Sequence, residues 1–220
     1  MKNIIIALYS TLIIGCGNAQ ETKFIRYINS FKEEKPNNIL NFGKIVQIER
    51  RMTFAEAVDF VYKGDTAKLY CKQKIVNMET EKVEGISKEL YLPSKCLKID
   101  MGNYFLIAHS FYQCQNPNEM LKINLTLSIV DKSFKVRDSM IVYSGSDFES
   151  DITGLLNPKN GKIFIVSDLE NLKGKEASIL KVNTESFRFE STKEYKNLTK
   201  VSDDLTQVLN MLEWEGIFMN

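Results

Sequence analysis

The amino-acid sequence predicts an α+β protein, mainly antiparallel β-sheet in a meander or sandwich-like arrangement, with short N-terminal helices and one late helix. Three observations carry this reading. Near Ala67 the spacing of apolar residues changes from about 3.6 toward 2. Within Leu121 to Ile129 the residues Leu121, Ile123, Leu125, Leu127 and Ile129 alternate strictly with Lys122, Asn124, Thr126 and Ser128, the pattern of a half-buried antiparallel strand. From residue 97 to 190, strand-like runs recur between turn residues at a spacing that suits a meander, a sandwich or propeller-like blades. No repeat of fixed period accompanies them, which argues against a full propeller.

Taken in order, Phe24, Ile28 and Phe31 lie at helical intervals in Thr22 to Phe31, and Pro36 with Asn37-Asn38 ends that element. Phe42 to Glu49 is short and apolar enough for a strand or turn. Thr53 and Glu56 form a capping-box pair at the start of a second helix, because each side chain can satisfy an amide that the first turn leaves unbonded. Phe54, Ala57, Val58 and Val61 supply its expected stripe, and Gly64-Asp65 closes it. Tyr104 to Tyr112 (YFLIAHSFY) is apolar on both faces, which places it in the sheet centre. Asp131-Lys132-Ser133 turns the chain into Phe134 to Tyr143. Asn157-Pro158-Lys159-Asn160-Gly161 reverses it before Ile163 to Val166. Ala177 to Asn183 and Phe187 to Glu190 form a hairpin around Thr184-Glu185-Ser186. Ser202, Asp203 and Asp204 begin the late helix, with Leu205, Val208, Leu209 and Leu212 as its stripe, and a terminal strand near Trp214 to Phe218 rejoins the sheet.

Residues 1–20 combine Lys2, an apolar run from Ile4 to Ile14 and a small-residue zone, the layout of a secretory signal. The run is too short for a permanent span, which takes about 20 apolar residues. Directly after it, Ile13-Ile14-Gly15-Cys16 resembles the lipobox of bacterial lipoproteins. The Cys-Gly-Asn-Ala-Gln junction and the Lys-, Asn- and Ile-rich composition are similar to envelope lipoproteins of the Bacteroidota, a resemblance that implies no particular activity. It implies a signal peptide over 1–15, diacylation of Cys16 and a single α+β domain over 16–220 anchored by its N-terminus. The expected location is the outer membrane or periplasm, because two acyl chains hold a protein where one is marginal. Cleavage after Ala19, at Gly17-Asn18-Ala19, is the alternative and gives a soluble periplasmic or secreted protein.

Hydrophobic residues make up 44% of the chain and charged residues 26%, as in ordinary globular proteins. Removing residues 1–15 takes away Lys2 and no acid, so 28 Lys+Arg remain against 28 Asp+Glu, and no nucleic-acid partner is expected. If lipid consumes Cys16, then Cys71, Cys96 and Cys114 remain and permit at most one disulfide, with three pairings open; three buried thiols are the alternative. No CxxC or Cys/His spacing suggests zinc. Asp147, Glu149 and Asp151 alternate as weak ligands for a hard cation, yet Ile152 and Pro158 stand where a calcium loop needs Gly and Glu. His109 is the only histidine, and its apolar strand marks it as structural rather than a catalytic base. GxSxG, HExxH and glycine-rich phosphate loops are all absent. Arg50-Arg51 reads as a charged approach to a helix. Asn124-Leu125-Thr126 and Asn197-Leu198-Thr199 match a glycosylation sequon that bacterial lipoproteins do not normally use, and Asp65-Thr66-Ala67 and Asp138-Ser139-Met140 match a short O-glycosylation pattern.

The expected function is therefore non-enzymatic: an envelope lipoprotein without a cofactor, holding the bilayer through Cys16 and binding a protein or glycan. An immunity-type lipoprotein that neutralises a periplasmic toxin is the alternative, followed by a hydrolase using Asp147, Glu149 or Asp151. Metabolic labelling with radioactive palmitate checks the anchor: wild type takes up label and sediments with membranes, Cys16→Ser takes up none, and an unlabelled, fully soluble wild type overturns lipidation.

Overall fold

In a computed structural model the chain is described over residues 19–77, 79–114, 121–146, 150–168, 174–198 and 204–220. A helix over 19–29 (α1) is followed by β1 (Leu40–Asn41), the single turn α2 (Phe42–Ile45) and α3 (Phe54–Glu56), which continues into a π-helical turn at Ala57–Val61. Strands β2 (Tyr70–Val76) and β3 (Val83–Leu90) pair as a separate hairpin. Eight strands then run as an antiparallel meander: β4 (Ser94–Asp100), β5 (Tyr104–Gln113), β6 (Lys122–Asp131), β7 (Val136–Gly145), β8 (Ser150–Asn157), β9 (Lys162–Asp168), β10 (Lys175–Asn183) and β11 (Arg188–Leu198). β1 pairs with β8, and two helices, α4 (Leu205–Met211) and α5 (Glu215–Met219), close the chain. The α+β class and the antiparallel meander are those that the sequence predicts.

The sheet has a corner. β7 pairs with β8 only at Ser144↔Ile152 and Gly145↔Ser150, beyond which β8 leaves β7 and takes β1 as its neighbour through Leu40↔Leu156. The two halves of the meander thus face each other, and the Phe189 amide on β11 donates to Asp138 on β7 at 2.9 Å. Leu97, Leu106, Leu125, Leu127, Ile129 and Val142 of the first half meet Leu156, Ile163, Ile165 and Val182 of the second in one apolar core. Gly154 sits at the tightest approach: a Cβ there would run into the Phe164 carbonyl and lie 3.2 Å from the Phe42 ring.

The outer faces of both halves are covered as well. Phe105, Ile107 and Val130 lie beneath Tyr27, Ile28 and Phe31 of the α1 segment, together with Met52, Ala57 and Tyr62. Leu155, Phe164, Val166, Ala177 and Ile179 lie beneath Leu205, Val208, Leu209, Trp214 and Phe218. The order is therefore helices, half-sheet, half-sheet, helices.

Several expectations are corrected by this layering. β6 is buried on both faces, since Asn124 and Ser128 are covered along with the leucines. β5 is second from the sheet edge, between β4 and β6, and is apolar on both sides because helices cover its outer face. Of the strand or turn expected over Phe42 to Glu49, the structure has the turn: the Asn41 side chain accepts the Gly43 amide at 2.9 Å and caps a helical turn that buries Phe42 and Ile45. The Thr53–Glu56 capping box forms, but Phe54 is 45% exposed, because the switch to a π turn, with the Tyr62 amide bonded to the Ala57 carbonyl, rotates the apolar face onto Ala57 and Tyr62. The segment from Trp214 to Phe218 is not a strand, so two late helices exist rather than one. Asn157 and Asn160, in the β8–β9 turn, donate to the Phe218 carbonyl at 3.1 and 3.2 Å, and Lys162 Nζ donates to the Ile217 carbonyl at 2.7 Å, which satisfies the end of α5.

Replacing Gly154 with Ala is expected to destabilise the fold by about 1–3 kcal/mol through overpacking between β8 and β9. Urea unfolding measures it, and an unchanged midpoint would show that the corner can relax.

Candidate functional site

Two clefts among the described residues open against the sheet where this layering is incomplete. The first, about 540 Å³, lies at the edge of the meander among five separated segments. Val46 to Glu49 follow α2, Arg51 forms an antiparallel bridge to Ser94, Leu90 to Leu92 leave β3, Ser110 and Tyr112 end β5, and Leu121 and Ile123 with Tyr143 and Ser146 come from β6 and β7. Local bonds hold these pieces in place. The Met52 amide bonds to the Pro93 carbonyl and the Lys95 amide to the Arg50 carbonyl, both at 2.8 Å, and the Tyr91 amide bonds to the Leu69 carbonyl at the same distance. The Tyr91 and Tyr112 rings meet at 4.9 Å. Burial and the adjacent Glu89 carboxylate, which accepts the Tyr91 hydroxyl at 2.8 Å, raise the Tyr91 pKa. This surface offers aromatic faces, a guanidinium, a carboxylate, an amide and hydroxyls to a polar ligand.

The wall beside Arg51 is braced from below by Glu56, whose carboxylate lies 2.6 Å from Lys95 Nζ. Burial works against the Glu56 charge, but Lys95 and the Thr53 amide outweigh it and hold the carboxyl below its usual range. Lys95 Nζ also donates to Ser30 at 2.7 Å, so one ammonium links α1, α3 and β4. Arg50 pairs with Glu34 at 3.3 Å, and its Nη1 is buried without a hydrogen-bond partner among the described residues. Arg50 is thus structural, whereas Arg51 faces the cleft.

The β2–β3 hairpin stands beside this cleft, and among the described residues neither of its outer edges is paired. A Cys71–Cys114 disulfide ties its base to the end of β5. That selects one of the three pairings open from sequence and leaves Cys96 a free, fully buried thiol whose pKa is pushed up by burial. On one face of the hairpin Lys72 stands opposite Lys88, and Lys74 opposite Ile86. Val83, Ile86 and Leu90 are exposed.

The second cleft, about 490 Å³, lies on the outer face of β5–β7 where α1 and the π turn stop short of β7. His109, opposite Thr126, is in its floor rather than sealed in the sheet, and keeps some exposure. Apolar surroundings push its pKa down to about 4, leaving the imidazole neutral. Its ring is 6.3 Å from that of Phe111 and makes no hydrogen bond to another described residue.

Of the other residues singled out from sequence, Asp151 at the start of β8 pairs with Lys122 at 2.6 Å on the surface. Cys16, Asp147 and Glu149 lie outside the described residues. Among those described, no group of three or more His, Cys, Asp or Glu could hold a metal, and no helix is long and apolar enough to cross a membrane. Glu49 is the one carboxylate in the first cleft among the described residues, and an acid–base pair of the glycosidase kind needs two. Sequence reading missed Tyr91, Tyr112, Tyr143 and Arg51, since each belongs to a different segment and only the tertiary fold brings them together. No family model, curated protein or solved structure matches this chain.

The His109 environment sets a pH dependence. In the unfolded chain its pKa is near 6.5 and in the fold about 4, so as pH falls through this window the unfolded state takes a proton that the folded state refuses, and stability declines. Because there is one histidine, His109→Gln is expected to flatten the denaturation profile between pH 6.5 and 4, whereas identical profiles would place the titration elsewhere.

Proposed function

We propose that this protein is a non-enzymatic envelope lipoprotein, anchored in the bilayer through acylated Cys16, whose first cleft binds a glycan. The observation that carries the reading is the set of tyrosines, Tyr91, Tyr112 and Tyr143, gathered around Gln47, Glu49 and Arg51 in a cleft open at its mouth. Aromatic faces pack against the C–H faces of sugar rings, while amide, carboxylate and guanidinium groups match ring hydroxyls. A hydrolase is the weaker reading, because Asp151 is neutralised by Lys122 and stands apart from the tyrosine cleft.

The second reading is a protein partner, including an immunity-type lipoprotein that blocks a periplasmic toxin. The β2–β3 hairpin favours it, with two unpaired edges among the described residues and exposed Ile75, Val83, Ile86 and Leu90 beside the same cleft. Such an edge can take an added strand from another chain.

Capture from envelope extract separates the two. The purified protein is expected to retain a polysaccharide fraction, and Tyr91→Ala combined with Tyr112→Ala should lower that affinity about tenfold, the order expected when stacking worth ~1 kcal/mol or more is lost. Capture of a protein that Ile86→Asp abolishes would favour the hairpin reading instead. Retention of neither, or turnover of the captured glycan, would overturn the binding assignment.

A further inference from the structure

The second cleft has features that neither sheet packing nor the tyrosine cleft accounts for. Tyr62 is 7% exposed, yet its hydroxyl is buried without a hydrogen-bond partner among the described residues. A desolvated donor left in this state is costly, and each such group in a folded protein calls for an explanation. The Tyr62 ring meets Phe111 edge-on at 6.4 Å, and Phe111 is also the neighbour of His109, so an unsatisfied phenol and a neutral imidazole without a described partner border one aromatic side chain. Around them the walls are apolar, built from Phe24 and Phe60 on the helical side and from Ile107, Val130 and Val136 on the sheet.

The charges in the lining are all of one sign. Lys63 and Lys68 contribute ammonium groups, and no acidic side chain lines the cleft among the described residues. Lys68 reaches Asp65 at 3.7 Å, but Lys63 forms no ion pair with a described residue. A volume of about 490 Å³ is within the range of small-molecule sites, which are mostly apolar with a few convergent polar groups. The occupant that answers each feature has an apolar body for the walls, an oxygen that accepts from Tyr62, and a negative charge for Lys63.

We propose that this cleft is a binding site for an amphipathic monocarboxylate of fatty-acid type, its chain against Phe111 and Val136 and its head accepting a hydrogen bond from Tyr62. The site is separate from the tyrosine cleft and stands or falls independently of glycan or protein binding there.

Isothermal titration of the purified protein with laurate below its micelle concentration tests the proposal, with dodecanol as the uncharged comparison. Saturable binding at one site is expected, with dodecanol about tenfold weaker. Tyr62→Phe should weaken laurate about tenfold, as loss of a hydrogen bond to a charged group does. In the free protein the same change should leave the melting temperature unchanged or higher, because it removes an unsatisfied hydroxyl; a purely structural role would alter melting and leave affinity alone. Val136→Trp, at an exposed position at the start of β7, should fill the cleft and abolish binding. Absence of saturable laurate binding, or equal affinity in wild type and Tyr62→Phe, overturns the assignment, and equal binding of dodecanol overturns the carboxylate as the head group.

Discussion

A strand that is apolar on both faces has to be covered twice, and this requirement organises everything outside the meander. β5 and β6 present Leu106, Leu125 and Leu127 to one side and Phe105, Ile107 and Val130 to the other. Folding the sheet at the β7–β8 corner covers the inner set with the opposite half of the same sheet. The outer sets cannot be covered that way. They recruit the N-terminal helical segment on one side and α4 with α5 on the other, each with an apolar stripe too small to form a core alone.

The corner has further consequences. Because β8 keeps only two residue pairs with β7, its edge is free for β1, and the α2 turn that follows places Phe42 against Gly154. The first cleft lies at the end of the sheet where β5 finishes, β6 begins and β7 finishes, with Tyr112, Ile123 and Tyr143 in its lining. The disulfide from Cys71 to Cys114 then fixes the hairpin at the cleft's side, across a sequence separation of 43 residues.

Polar groups under the helical covers follow the same logic with different outcomes. Glu56 and Lys95 are close enough to satisfy each other, so partial burial leaves the carboxylate charged. His109 and Tyr62 have no such partner among the described residues, and burial drives each toward its neutral form, the imidazole down to about 4 and the phenol up to about 12. One pair closes the layer at the base of α3, while the other two groups sit where the layer fails to close.

Local chemistry written in the chain was sufficient for some features. The strict alternation of Leu121 to Ile129 specified a strand with its leucines inward, Thr53 and Glu56 specified a helix start, Asn157 to Gly161 specified a reversal, and Asp204 with Leu205, Val208 and Leu209 specified α4. In each case the deciding interactions lie within a few residues, where period and capping act. Tertiary structure alone decided which cysteines pair, that β5 is next to an edge, that Trp214 to Phe218 is helical against β9, and that the tyrosines of three segments share one cleft. Those outcomes depend on contacts between residues tens of positions apart, made only when the chain has folded, and no local pattern in the sequence encodes them.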